Sequence, residues 1–319
     1  MIQYLYLGRV DYDQALRLQK ELVTARFEGR VENVLLLLEH PPVLTLGRNA
    51  NRSNILASGE LLARRGVTVH EIDRGGDVTY HGPGQLVGYP IFDLRTLRNP
   101  NGGRMGPVDF VRLMEEALIR LCAGFGVLAG RIQGLTGVWC PAGGGPLEEG
   151  CGSGAARKIA AIGIHVARGI TSHGFAFNVT TDLKDFELIV PCGIPDHAVT
   201  SLKNEFPARE VERPEALPGM EEVAHAAARQ FGLAFDQQVL AAESLAALES
   251  QVSDARPPST GSGQAFDEPR AGSGAPAQVK AAEDAGPKFP AEDTPLRAPA
   301  EVERLRRGAG RPEEPQFRA

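Results

Sequence analysis

Cysteine is scarce. Cys122, Cys140, Cys151 and Cys192 are spread through 319 residues. They are too few and too scattered for a disulfide framework, and no second ligand pair stands near them as a zinc site would require. Long apolar runs are also missing, since none approaches the ~20 residues needed to cross a bilayer. The opening residues MIQYLYLGRVDYDQ have no basic segment followed by an apolar core, so no secretory leader is expected. Excess basic charge is absent as well. A net charge of −6 leaves no electrostatic footprint for nucleic acid. Together these absences point to a cytoplasmic chain with reduced thiols and with neither a membrane nor a nucleic-acid partner.

A different shortage marks the C-terminal part. Residues 251–319 contain no Tyr, Trp, Ile or Cys, and they hold ten of the 23 prolines. Such a segment cannot bury enough apolar area to offset its ordering entropy. The expected organisation is therefore one catalytic domain over residues 1–250 and a disordered Pro/Ala/Gly-rich tail over 251–319.

Within the first 250 residues the hydrophobic pattern predicts a helix over 11–30, capped by Asp11 or Asp13, with Ala15, Leu18, Leu22 and Ala25 on one face. A buried strand is expected at 34–38, and others at 43–46 and 67–72. A helix with Pro at its first turn is expected at 107–122, presenting Phe110, Leu113, Met114, Ala117, Leu118 and Leu121 inward. Short strands follow at 127–132 and 136–139, then a Gly-rich loop at 140–156. Residues 158–166 and 171–180 alternate like paired strands around the turn Ala167-Arg168-Gly169-Ile170. Two late helices are expected at 221–231 and 238–248. Strands outnumber helices and sit in neighbouring pairs, which argues for an α+β fold with a mixed or antiparallel sheet flanked by helices.

The stretch RGGDVTYHGPGQLVGYPIFDL, residues 74–94, is too glycine-rich for a helix and too patterned for a linker. It fits neither the phosphate loop GxxxxGK[ST] nor a strand-GxGxxG-helix fingerprint. Its Arg74-Gly75-Gly76 offers backbone N–H groups freed by glycine, as in an anion or carbonyl cradle. Among the thiols, Cys122 ends an amphipathic helix and reads as a small buried hydrophobe. Cys192 differs: it follows the apolar run 187–190 and sits between Pro191 and Gly193, where a ligand can approach the backbone closely. A nucleophilic thiol needs a group that favours its thiolate, and Lys158, His81, His165, His173 and His197 are the candidates. Taken singly, a thiol in such a place is more often structural than catalytic, and a strand-end lysine is normally solvated.

The motifs taken together resemble those of the bacterial octanoyltransferases that begin protein lipoylation. Arg74-Gly75-Gly76, Thr79, His81, Gly84-Gln85 and Tyr89 fall in the places of that family's signature. ARKIAAIG (156–163), HGFAFNV (173–179), PCGI (191–194) and Thr200-Ser201-Leu202 follow in the family's order, over about residues 1–235. The loop between Trp139 and Lys158 is longer than the family leads one to expect, and the tail has no counterpart in it. The resemblance implies the biotin/lipoate protein ligase-like fold. It makes Cys192 the acyl-thioester nucleophile and Lys158 the residue that lowers its pKa, reversing both single-residue readings. It assigns the acyl pocket to Arg74, Gly75, Gly76, Asp77, Val78, Thr79, Tyr80 and His81, to Ala161, Ile162 and Gly163, and to Gly174, Phe175 and Ala176. It also implies octanoyl-acyl carrier protein as donor, with lipoyl domains of 2-oxoacid dehydrogenase complexes and the glycine cleavage H protein as acceptors. Neither ATP nor a metal is implied, because an amide is downhill from a thioester. The alternatives carried beside this reading are an ATP-dependent lipoate or biotin ligase, a cysteine thioesterase and a non-enzymatic carrier-protein binding module.

Overall fold

The computed structural model describes residues 1–141, 156–191, 198–206 and 217–253, all within the unit Met1–Ser259. Its strands are β1 (Ile2–Arg9), β2 (Asn33–Glu39), β3 (Val43–Leu46), β4 (Thr68–Glu71), β5 (Val78–His81), β6 (Gln85–Ile91), β7 (Gly130–Ile132), β8 (Leu135–Cys140), β9 (Arg157–Ala167), β10 (Ile170–Asn178) and β11 (Val239–Ala241). The helices are α1 (Tyr12–Phe27), α2 (Gly59–Arg64), α3 (Pro107–Gly124), α4 (Leu202–Glu205), α5 (Met220–Phe235) and α6 (Leu245–Ser253). Eight strands form one mixed sheet in the order β11-β1-β2-β6-β10-β9-β8-β7, and β4-β3-β5 form a second, smaller sheet. The fold is thus α+β, as the pattern of strands implies.

β2 is apolar at every position from Val34 to Leu38 because both of its faces are covered. Leu35 and Leu37 join the core under α3 and α5. Val34, Leu36 and Leu38 join the core under α1 and α6. β1 and β2 are parallel, and α1 is the crossover that such a pair requires. Asp11 caps α1 by accepting the Asp13 N–H at 3.0 Å, and Ala15, Leu18, Leu22 and Ala25 are buried as the spacing implies. α3 begins with its Pro at the first turn and buries Phe110, Met114, Ala117, Leu118, Leu121 and Cys122. The β9–β10 hairpin closes through Arg168 and Gly169, both at positive φ (52° and 86°), the backbone that matches a two-residue hairpin turn to the twist of its strands.

Two expectations need correction. Residues 238–248 are not one helix. Val239–Ala241 form β11, which adds a parallel strand to β1 with Ile2 opposite Val239, and the helix begins only at Leu245. The unpaired edge of β1 captures the segment, with the Ile2 N–H donating to the Gln238 carbonyl at 2.8 Å. α6 then runs to Ser253, three residues past the expected edge of the tail, because Leu248 and Val252 pack into the α1-side core. The stretch 74–94 is divided between the two sheets. β5 belongs to the small sheet and β6 to the large one, so the chain crosses between sheets at Gly82-Pro83-Gly84. The rest of the expected tail lies outside the described residues, as does 142–155, most of the Gly-rich loop.

Candidate active site

A cavity of about 250 Å³ lies between the large sheet and the segment that follows β4. The register builds its floor. Ala176 pairs with Ala161 on one side and Val87 on the other, and Gly174 pairs with Gly163 one row further along. Tyr89 extends β6 into that second row, ~7 Å from the first by the rise of a strand. All six residues border the cavity. Its roof is Arg74, Gly75, Gly76 and Asp77, with Thr79 and His81 from β5 and Tyr12 from α1. The rim on the β8 side is the hairpin tip Gly134-Leu135-Thr136, where Gly134 and Thr136 are exposed. Val87 and Tyr89, on the β6 side, are buried.

Lys158 reaches this cavity through a β-bulge. Val138 stands opposite Ala160, but Trp139 stands opposite Lys158, so β9 contributes two residues where β8 contributes one. Ile159 and Ala160 consequently both enter the core under α3 and α5. Without the bulge, Lys158 would share the face of Ala160. With it, Lys158 joins Ala161 and Gly163 on the cavity side. The lysine is 7% exposed, and its Nζ lies 4.6 Å from the centroid of the Trp139 ring. Among the described residues no carboxylate pairs with it. Its backbone is fixed by Ala198 and Thr200, through bonds of 2.9 Å in each direction. Pro191 and Val199 border a crevice that also touches Lys158, Thr79 and Ala176. Cys192, covalently next after Pro191, lies outside the described residues, with 193–197 and therefore His197. Cys151 lies outside them too. Cys122 and Cys140 are buried. Burial first, then the charge of Glu205, pushes the Cys140 thiol up to about 12, and burial holds Cys122 well above the usual thiol range.

The Arg74-Gly75-Gly76 turn is clamped from two sides by glycines. A Cβ at Gly47 would fall 2.4 Å from the Gly76 carbonyl, and one at Gly163 would fall 2.6 Å from the Gly75 carbonyl. Backbone bonds lock the same contacts: Gly75 N–H to Ile164 O at 2.9 Å, Arg48 N–H to Arg74 O at 3.0 Å. The guanidinium of Arg74 is buried and donates to Thr45 O at 2.7 Å and Thr45 Oγ1 at 2.9 Å. Arg74 therefore holds the turn to β3 as well as lining the cavity.

The histidines are spoken for by structure. Gln85 spends its Nε2 on Tyr80 O at 3.1 Å and Asn178 Oδ1 at 2.9 Å, so its Oε1 accepts from His81 Nδ1 at 2.8 Å. That leaves His81 Nε2 as acceptor toward Thr45 Oγ1 at 3.4 Å. Burial, aided by nearby His40, lowers its pKa to about 3, so His81 is neutral. His173 has a positive φ of 56°; its N–H donates to Gln19 Oε1 at 2.9 Å, and its Nε2 meets Asp73 Oδ1 at 2.7 Å. His165 Nε2 lies 3.5 Å from the other oxygen of Asp73. His81 and His173 border the cavity, but in the row away from Lys158 or bonded elsewhere. No three His, Cys, Asp or Glu side chains among the described residues converge as metal ligands would.

Of the residues expected to line the pocket, Arg74, Gly75, Gly76, Asp77, Thr79, His81, Ala161, Ile162, Gly163, Gly174, Phe175 and Ala176 all border the cavity with Lys158. Val78 and Tyr80 do not, and this corrects the expectation. Strand alternation turns them into the small-sheet core with Leu44, Leu46 and Phe186, and the Tyr80 hydroxyl donates to Asp185 Oδ2 at 2.6 Å. Sequence reasoning did not single out Tyr12, Ile72, Val87 or the 134–136 hairpin tip. Val87 and Tyr89 alternate with Leu86 and Gly88 in LVGY, a signal readable once β6 is recognised as a strand; Tyr12 carried no such signal.

This fold, with Lys158 in its cavity, falls in a known class. The family described as Lipoyl protein ligase A/B catalytic domain matches residues 11–232, and the chain belongs to it. Within that class, the chain is 60% identical over 245 residues to an octanoyltransferase of Acidobacterium capsulatum, covering 76% of this chain and 94% of the other. It is 53% identical over 245 residues to one of Koribacter versatilis, covering 77% and 88%. Among solved structures it resembles a bi-partite lipoate protein ligase from Thermoplasma acidophilum, with a TM-score of 0.57 and 16% identity over 79% of this chain and 91% of that one. The chain is thus an octanoyltransferase by family, with the fold shared by lipoate ligases. Among the described residues no helix is long and apolar enough to cross a membrane.

Proposed function

We propose that this octanoyltransferase works through a covalent Cys192 thioester, with octanoyl-acyl carrier protein as donor and a lysine of a lipoyl domain as acceptor. One observation carries the reading: the bulge turns Lys158 into the cavity beside the crevice bordered by Pro191, the neighbour of Cys192. Lys158 accepts the Cys192 proton. The thiolate attacks the octanoyl carbonyl, and the carrier thiolate leaves and takes the proton back from the Lys158 ammonium. The acceptor amine then attacks the acyl-enzyme, its surplus proton passes to Lys158, and Cys192 leaves as thiolate and is reprotonated. One thioester exchanges for another and then for an amide, so neither step needs ATP.

The cavity supports the acyl part of this reading. At about 250 Å³ it sits just below the ~300 Å³ at which small-molecule sites usually begin, and its floor of Ala, Gly and Val suits an unbranched chain. Burying ~7 methylene and methyl groups at ~0.8 kcal/mol each gives roughly 5 kcal/mol. The acceptors in this reading are lipoyl domains of 2-oxoacid dehydrogenase complexes and the H protein of glycine cleavage, in the cytoplasm. The catalytic part is the N-terminal ~250 residues, and the tail stays outside the chemistry.

The rival with a shared fold is an ATP-dependent ligase, which activates a free acid as an adenylate and needs no thiol. A thioesterase would discharge the acyl-enzyme to water. Mass spectrometry after mixing with octanoyl carrier protein separates them. A +octanoyl adduct on Cys192 without ATP, discharged onto an added lipoyl domain, is the expected result. Adduct followed only by free octanoate favours the thioesterase, and no Cys192 adduct, with the lipoyl domain octanoylated only when ATP and free octanoate are supplied, favours the ligase.

A further inference from the structure

The cavity has a buried far end whose geometry is fixed by one hydrogen-bonded pair. Tyr89 forms its wall on β6 and is 4% exposed. Its hydroxyl lies 2.7 Å from His40 Nε2, and His40 Nδ1 lies 2.7 Å from the Val10 carbonyl. The carbonyl can only accept, so Nδ1 carries the proton and Nε2 accepts from the phenol. His40 is fully buried. Swinging the Tyr89 ring aside would orphan a buried imidazole nitrogen, so the ring stays in place. Tyr12 packs against the same imidazole, ring centroids 5.1 Å apart, and closes the neighbouring side.

We propose that Tyr89, held by His40, is the stop that limits acyl-chain length. The inference rests on reading this cavity as the acyl site. Lys158 and Tyr89 border opposite parts of the cavity: β6 is two strand spacings from β9, ~9.6 Å, and Tyr89 stands a row beyond Val87, Ala176 and Ala161 on the side away from Lys158. An acyl chain with its carbonyl beside Lys158 runs over Ala161, Ala176 and Val87 toward the Tyr89 ring. The end of a lengthening chain meets that ring, which the His40 bond keeps from swinging aside. His40 acts as a positioning residue for this wall.

The test is competition among hexanoyl, octanoyl, decanoyl and dodecanoyl carrier protein, read as the ratio of kcat/KM values. Tyr89→Leu is expected to raise the decanoyl-to-octanoyl ratio by about tenfold, what two newly accommodated methylenes are worth. Tyr89→Phe keeps the ring but frees it from His40, and shifts the ratio in the same direction by less. Val87→Phe fills the nearer row and shifts preference toward hexanoyl; it decides the matter if Tyr89→Leu is insoluble. Ala161→Phe fills the cavity beside Lys158. If it leaves octanoyl transfer at the wild-type rate, the acyl-site reading itself fails. If it abolishes transfer while Tyr89→Leu and Val87→Phe keep the wild-type length profile, the stop is overturned alone.

Discussion

Lys158 faces Trp139 across the β8–β9 pair, its Nζ 4.6 Å from the ring centroid. Packing of the stem against that buried ring holds its four carbons in one orientation. Lys158 should therefore matter through its amine and Trp139 through where it puts that amine. Lys158→Met should stop both half-reactions near pH 7, with the acyl-enzyme step partly rescued as the pH approaches ~8.5, where an unassisted thiol ionises. Lys158→Arg keeps the charge but cannot accept a proton, so discharge onto the acceptor should suffer at least as much as acylation. Trp139→Phe should lower kcat several-fold with little change in KM. The check is the pH profile of Cys192 alkylation in wild type and Lys158→Met; superimposable curves would remove Lys158 from the mechanism.

The four thiols should separate cleanly by reactivity. Burial pushes Cys140 up to about 12 and holds Cys122 well above the usual thiol range, so iodoacetamide at pH 7.5 should leave both unlabelled in the folded protein. Cys122→Ala and Cys140→Ala should retain transfer. Cys192→Ser should lose the octanoyl adduct and nearly all activity, since an alkoxide forms far less readily than a thiolate. Peptide mapping of the adduct reads this directly, and an octanoyl group found on Cys140 would place the chemistry elsewhere.

Periodic signals carried most of the fold. The faces of α1 and α3, the doubly buried β2 and the β9–β10 hairpin all follow from spacing, because each buries a regular stripe or alternates around a short turn. β11 did not, since three residues hold no period and their extended state comes from the free edge of β1, where Ile2 pairs with Val239, 237 residues away in sequence. Val78 and Tyr80 were misassigned for a related reason. A motif names a run of residues, whereas a strand sends alternate members to opposite faces. The position of Lys158 on the cavity side was likewise illegible, because it depends on a bulge set by the pairing of β8 with β9.

The chain should tolerate loss of its C-terminal part if the cut respects α6. Leu248 is buried and Val252 packs beside it against the α1-side core. Truncation after Ser253 should leave Tm within a few degrees of the full chain. Truncation after Glu249 removes Val252 and the last turn of α6, and should lower Tm measurably by the loss of ~1–2 kcal/mol of apolar burial. A large fall in Tm for the cut after Ser253 would show that the tail docks on the domain.

Gly163 is where the sheet and the Arg74-Gly75-Gly76 turn come closest. A methyl there would meet the Gly75 carbonyl at 2.6 Å, an atom that accepts from the Arg74 guanidinium at 3.0 Å in a residue whose N–H is tied to Ile164 O. Gly163→Ala should cost ~1–3 kcal/mol of stability through overpacking and reduce octanoyl transfer more than that loss alone explains, because the cavity roof must lift. Urea unfolding together with the rate of adduct formation tests both. Wild-type values in each would mean the turn is not held as described.

Acid should weaken the fold from an unusually high pH. His40 and His81 are buried beside each other, ring centroids 6.0 Å apart. Burial lowers their pKa values to about 4 and about 3, from 6.5 in the unfolded chain. Above pH ~6.5 both states are neutral at these sites and stability does not depend on them. Between 6.5 and the folded values the unfolded chain binds the extra protons, so stability falls with pH by up to ~1.4 kcal/mol per unit for each group. The loss levels off only below about 4 for His40 and about 3 for His81. His173, also lowered by burial, adds in the same direction. Urea unfolding at pH 7.5, 6.0 and 5.0 should show this slope. His40→Gln cannot titrate, so it should begin less stable at pH 7.5 yet lose less on acidification. Parallel pH slopes in the variant and the wild type would mean that His40 is not held neutral, and with it the acceptor that fixes the Tyr89 hydroxyl would be gone.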